Sequence, residues 1–160
     1  AADHHPGGGG GEAPRDGATV SPRLTGTCLA AGGVLGAVAV ATGAFGAHGL
    51  KAILEASGQA ANWETASRYA IVHAVALVAT GLAAGLPDSA FGRRPLATAA
   101  WCFAAGTLVF SGCLWILALT GIRVLGAVVP IGGTLLIVGW VALAWAGLRR
   151  TASPATPRGR

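Results

Sequence analysis

Charge is scarce in this chain. Of its 160 residues, 11% are charged and 53% are hydrophobic. Ordinary soluble domains carry roughly 25% charged residues. So few charges cannot clothe a soluble protein of this size, and a bilayer removes the need; the mean hydropathy of +0.62 agrees. Methionine is absent, so the initiator is not in this numbering, and lysine occurs once, at Lys51. The three cysteines, Cys28, Cys102 and Cys113, are an odd number without CxxC spacing, and all lie in apolar runs. That pattern argues against a disulfide framework or a metal or redox site and reads as small buried hydrophobes. Acidic residues are missing from every long apolar run, and Asp88 stands alone in a turn. HExxH, GxSxG and GK[ST] do not occur, and no carboxylates pair at a catalytic spacing. Hydrolase, phosphate-loop and metalloenzyme readings therefore lack parts. Neither enzymatic activity nor a cofactor is expected.

What the chain has in quantity is apolar sequence. Residues 1–23 carry a pentaglycine, three prolines and mixed charges without apolar period, so a disordered tail is predicted. His4 and His5 within it read as solvated side chains rather than metal ligands. Four apolar runs follow, at about Leu24–Gly46, Ala66–Leu86, Leu96–Leu119 and Val124–Leu148. Each is long enough to cross roughly 30 Å of hydrocarbon as a helix, and lipid forces the backbone to satisfy its own hydrogen bonds. AxA-like triplets near the end of the first run leave signal-peptide cleavage as an alternative there. Residues 149–160 form a second polar, proline-broken tail.

The connections differ in kind. Between the first two spans, Leu50, Ile53 and Leu54 recur at helical spacing, with Lys51 and Glu55 four apart. This predicts a short amphipathic helix in the membrane interface, ended by Gly58. Asn62 is placed as N-cap of the second span, with Glu64 in its first turn and Arg68 four residues on. The net charge of +5 comes from bases that flank apolar runs, which suits membrane topology better than nucleic acid. Four spans put both termini and the second connection on one side, with eight bases against three on the other. Leaving out the distant tail bases Arg15, Arg158 and Arg160 still gives five against three. Both termini are therefore predicted to be cytoplasmic. Trp63, Trp115 and Trp145 fall near span ends, as in an aromatic belt.

Two faces carry most of the information. In the first span Gly32, Gly36, Ala39, Gly43 and Gly46 form one smooth stripe, which permits close helix packing in lipid. A ligand-cradling loop at Gly43, Gly46 and Gly49 is the competing view, but no strand precedes it. The second span aligns Asn62, Ala66, Tyr69, His73, Ala76, Thr80 and Ala83. An ionisable group inside a membrane is a functional candidate by default. His73 is either a neutral histidine satisfied by Tyr69 or a backbone carbonyl, or a proton or ligand contact with Tyr69 and His48. Thr107 and Ser111 in the third span can bond within their helix or across to another. In the fourth span Pro130 removes a backbone donor, and Gly132 and Gly133 allow a kink or a close neighbour.

The ordered motifs GAFGAHGL, ETASRYAIVHAVAL, SGCLWILALTG and PIGGTLLIVGW resemble the domain of unknown function 423 family, which has transmembrane protein 256 among its eukaryotic relatives. The resemblance covers about Leu24 to Leu148. It implies a four-helix integral protein of the bacterial inner membrane with no established biochemical activity. Family motif positions fall on Gly43, Phe45, Gly46, Ala47, His48, Tyr69, His73, Ser111, Gly112, Pro130, Gly132, Gly133 and Trp140.

The expected fold is thus an all-α bundle of four transmembrane helices with a short interfacial helix between spans 1 and 2. The expected role is a non-enzymatic structural or accessory membrane component, the alternative being a small transporter or channel using His73 with Tyr69 and His48. The expected partners are the lipid bilayer and, through the small-residue faces, a second copy or another membrane protein.

Overall fold

A computed structural model of the chain describes residues 22–86 and 91–152, with backbone alone at 150–152. The predicted tails fall outside these residues except at 22–23 and 149–152, which are helical rather than disordered. Five helices follow in order: α1 (Pro22–Ala47), α2 (Lys51–Ala56), α3 (Ala60–Ala84), α4 (Arg93–Thr120) and α5 (Val124–Ala152). Four of them, all but α2, are long and apolar enough to cross a membrane. The fold is all-α, a four-helix bundle with a short fifth helix between the first two spans.

Local sequence explains the punctuation. Pro22 opens α1, where its missing N–H costs nothing. Gly58 adopts φ +68°, a left-handed conformation that glycine alone reaches without strain. The next N–H, from Gln59, then closes on the Leu54 carbonyl at 2.8 Å, completing the C-terminal cap of α2. Only residues 57–59 separate α2 from α3, and this corrects the expected start of the second span. Gln59, not Asn62, occupies the N-cap, without a side-chain cap bond. The Asn62 amide instead donates to Gln59 Oε1 at 2.7 Å. The helix therefore begins six residues before Ala66, and its extra turns carry the exposed Glu64–Arg68 ion pair. At the other tight connection Gly121 takes φ +70°, and its N–H bonds the Leu117 carbonyl at 2.8 Å. Residues 121–123 then turn the chain into α5.

Packing runs α1 on α3, α3 on α4 and α4 on α5, with α1 barely meeting α4. The most apolar stretch of α3 is 50% buried and that of α4 33%, against 17% for α1 and α5. The middle pair supplies most of the core: Leu77, Ala99, Phe103 and Leu136 of α5 form its largest cluster with Cys28 of α1. The outside is apolar, with Val34, Leu108, Ile137 and Val141 all more than 60% exposed, as lipid-facing side chains should be.

α2 lies across the end of this bundle. It buries Leu54 against Trp63 and Ala118, leaves Ile53 exposed, and sets Lys51 Nζ 4.0 Å from Glu55. An isolated six-residue helix has almost no stability of its own, so the buried Leu54 is what holds α2 in place.

Candidate site around His73

His73 sits well inside α3 and is 5% exposed. Its ring is enclosed by aromatic side chains from three helices. Tyr69 stacks on it at 5.8 Å between centroids, Phe103 of α4 tilts at 5.8 Å, and Trp140 of α5 meets it edge-on at 6.0 Å. Phe110 extends the group by stacking on Tyr69 at 4.6 Å. Both ring nitrogens are engaged: Nδ1 lies 2.8 Å from the Tyr69 carbonyl, and Trp140 Nε1–H donates to Nε2 at 3.1 Å.

This arrangement fixes the tautomer. An indole N–H can only donate, so Nε2 must be the unprotonated, accepting nitrogen. The single imidazole proton then belongs on Nδ1 and points at the Tyr69 carbonyl. His73 is the neutral Nδ1–H form, with no free donor or acceptor for a ligand. Tyr69 contributes its carbonyl and its ring face rather than its hydroxyl. The surface cavities pass it by. A cleft of about 370 Å³ lies between α1, α2 and α3, and grooves of about 560 and 760 Å³ lie between α1 and α4 and between α4 and α5. His73 lines none of these.

His48 does not join this cluster. It is exposed just past the end of α1, where its backbone N–H bonds the Ala44 carbonyl at 3.1 Å. His48 and His73 are therefore separate features. Among the described residues no group of three His, Cys, Asp or Glu gathers at metal-binding range.

The glycine stripe of α1 faces α3. A Cβ added at Gly32 would lie 2.6 Å from Val78, and one at Gly46 would overlap the Trp63 ring. At Gly36 and Gly43 the nearest α3 atoms, of Ala74 and Ser67, would stand at 3.8 and 3.9 Å, ordinary contact distances. Ala39 is buried at 2%. The stripe is thus occupied within the chain itself. Trp63 lies near the start of α3 but faces inward: it is 6% exposed, fills the space over Gly46, and donates Nε1–H to the Thr42 carbonyl at 2.8 Å. α2 caps that end of the bundle and covers the indole with Leu54.

The other polar residues close gaps between helices or within them. Thr107 bonds back to the Phe103 carbonyl at 2.7 Å, whereas Ser111 reaches across to the Ala66 carbonyl of α3 at 2.8 Å. α5 continues through Pro130 as helix, and a Cβ at Gly132 would come within 2.5 Å of the Phe110 backbone nitrogen. Gly133 meets only the Phe110 ring, at 3.7 Å. Here the glycines provide close approach to a neighbour.

Comparison with known proteins places this arrangement. The family described as Protein of unknown function (DUF423) matches residues 42–133. The chain belongs to the DUF423 family. A UPF0382 membrane protein of Staphylococcus saprophyticus is 44% identical over 114 residues, 69% of this chain and 90% of the relative. The UPF0382 membrane protein YwdK of Bacillus subtilis is 38% identical over 120 residues, 72% of this chain and 94% of the relative. A Haemophilus influenzae relative of the same description is 42% identical over 111 residues, 69% of this chain and 84% of its own length. No solved structure matches the chain. With four long apolar helices, this DUF423 chain is a multi-pass membrane protein.

The DUF423 match runs from Thr42, whose carbonyl receives Trp63, to Gly133, just past the closest α4–α5 approach. Trp140 lies beyond it. Sequence reasoning placed His73 and Tyr69 correctly on one face but did not pair His73 with Trp140, 67 residues away. One signal was available: a tryptophan well inside a span needs an acceptor for its N–H, and His73, also well inside its span, is an acceptor of that kind.

Proposed function

We propose that this DUF423 protein is a non-enzymatic structural or accessory component of the bacterial inner membrane, with both termini in the cytoplasm. The observation that carries the reading is the closed hydrogen-bonding of His73. Both His73 nitrogens are engaged inside a packed aromatic cluster, by a backbone carbonyl and an indole N–H, neither of which passes a proton on or leaves room for a solute. The arginine excess on the side of the termini supports the orientation, and the bacterial relatives support the compartment. A partner, whether a second copy or another membrane protein, would meet a face other than the α1 stripe, because α3 already fills that stripe.

The test is flux. Full-length protein and its His73→Ala variant are reconstituted into liposomes, and proton and solute uptake are followed with internal dyes. Both are expected at the level of empty liposomes. Uptake by the wild type that disappears in the variant would establish the transporter reading in its place.

A further inference from the structure

Between α4 and α5 runs an open groove of about 760 Å³. Its walls are apolar along most of their length, with Val138 and Val141 among them. Its mouth is different. Arg94, in the first turn of α4, and Arg149, near the end of α5, both line it. The short 121–123 turn makes these helices antiparallel neighbours, so both arginines lie at the same membrane face. Among the described residues that line the groove there is no carboxylate. The Arg149 guanidinium sits 5.1 Å over the Trp145 ring, which also borders the groove, and Thr98 adds a hydroxyl one turn below Arg94.

We infer that this groove holds an anionic glycerophospholipid of the surrounding bilayer. Two positive charges, with no carboxylate among the described lining residues, leave a net charge that a phosphodiester complements. Arginine suits the role because its planar donors engage phosphate oxygens in pairs. Trp145 holds one guanidinium by a cation–π contact at the depth where tryptophan favours the headgroup region. The N-terminus of α4 adds partial positive charge at the same mouth. Below it, Val138, Val141 and Ala142 of α5 offer an acyl chain an apolar surface to lie along. Basic pockets between membrane helices are recurrent lipid headgroup sites. The inference depends on the membrane-spanning fold and not on the absence of transport activity.

Native mass spectrometry tests it. Full-length protein is released from micelles doped with equimolar phosphatidylglycerol and phosphatidylcholine. The wild type is expected to retain phosphatidylglycerol at least several-fold over phosphatidylcholine. Arg94→Gln/Arg149→Gln should abolish that preference, and Arg123→Gln, at the opposite face, should leave it intact. Both arginines are surface side chains; circular dichroism and gel filtration establish that the variants are folded. As a second measurement, a photocrosslinker at position 98 of otherwise wild-type protein in native membranes should yield a lipid adduct. Equal retention of the two lipids by the wild type, or unchanged preference in the double variant, would overturn the inference. So would a crosslink from position 98 to a second copy or another protein.

Discussion

The α1–α3 and α4–α5 interfaces meet the same requirement in different ways. In lipid, apolar surface does not drive helices together, so close packing must. At α1–α3 most of the glycines are on α1, and α3 answers at the tight points with side chains: Val78 over Gly32 and Trp63 over Gly46. Gly81 of α3 returns one such contact, receiving Cys28. At α4–α5 the glycines alternate between partners: Leu136 enters over Gly106, Phe103 over Gly139, and the Phe110 backbone itself over Gly132. The first interface is mainly side chain against smooth backbone, with backbone approached at Gly32, whose added Cβ would also stand 3.0 Å from the Ala74 carbonyl oxygen. The second brings two backbones into contact. Side chains can turn aside and backbones cannot, so one substitution, glycine to alanine, should have very different costs at the two interfaces.

Gly132→Ala is the strongest way to break the comparison. The new methyl would stand 2.5 Å from the Phe110 nitrogen and 2.8 Å from its Cα, so α4 and α5 must separate. Overpacking typically costs 1–3 kcal/mol, and here about 3 kcal/mol is expected because no side chain can yield. Gly46→Ala meets the Trp63 ring, which can tilt at the expense of its bond to Thr42, and about 1 kcal/mol is expected. Reversible unfolding in mixed micelles measures both. Equal losses would mean that the distinction between yielding and unyielding neighbours has no energetic content.

Much of this was legible beforehand, for a physical reason. A helix has a fixed period, so Gly32, Gly36, Ala39, Gly43 and Gly46 declare a shared face wherever that face points. The number and approximate bounds of the spans are readable in the same way, because hydrocarbon thickness sets a minimum apolar length. The identity of each neighbour is another matter. Nothing in the period of α1 says that α3 rather than α5 lies against it, or that Gly32 is tight and Gly36 roomy. Gly106 has no glycine on its own face of α4, and Gly139 lies two turns from Gly132 on α5; the meaning of both comes from Leu136 and Phe103 across the interface. The bond between His73 and Trp140 likewise joins two helices that α4 separates in sequence. The misplaced Asn62 cap has a more local cause: the Gly58 turn completes α2 so compactly that α3 starts before the predicted cap.

The His73 cluster bridges the middle of the bundle, and it sharpens the comparison by adding a polar contact to the α3–α5 side. Trp140→Phe keeps a ring but removes the donor to Nε2. Interhelical hydrogen bonds in membranes average about 0.6 kcal/mol and reach about 1.7, so a loss of about 1 kcal/mol is expected. In a His73→Leu background the same change should cost nearly nothing, since the acceptor is already gone. The double-mutant cycle isolates the pair. Additive losses would show that Trp140 stabilises the bundle by packing on Phe103, 5.1 Å between centroids, with no contribution from the bond to His73.

The smallest effect is expected at Gly36→Ala, and it is informative because it is small. Gly36 belongs to the same stripe as Gly32 and Gly46, yet its added methyl would find only Ala74 Cβ at 3.8 Å. Alanine is favoured over glycine in a helix interior by up to about 1 kcal/mol. The two terms together predict a change within about 0.5 kcal/mol, on the stabilising side. If this variant instead lost as much as Gly46→Ala, α1 would have to sit closer to α3 than the Ala74 contact indicates. If it kept its stability but changed its oligomeric size in micelles, the stripe would have a second occupant besides α3. A neutral result leaves α1 held tightly at Gly32 and Gly46, with room for one methyl at Gly36.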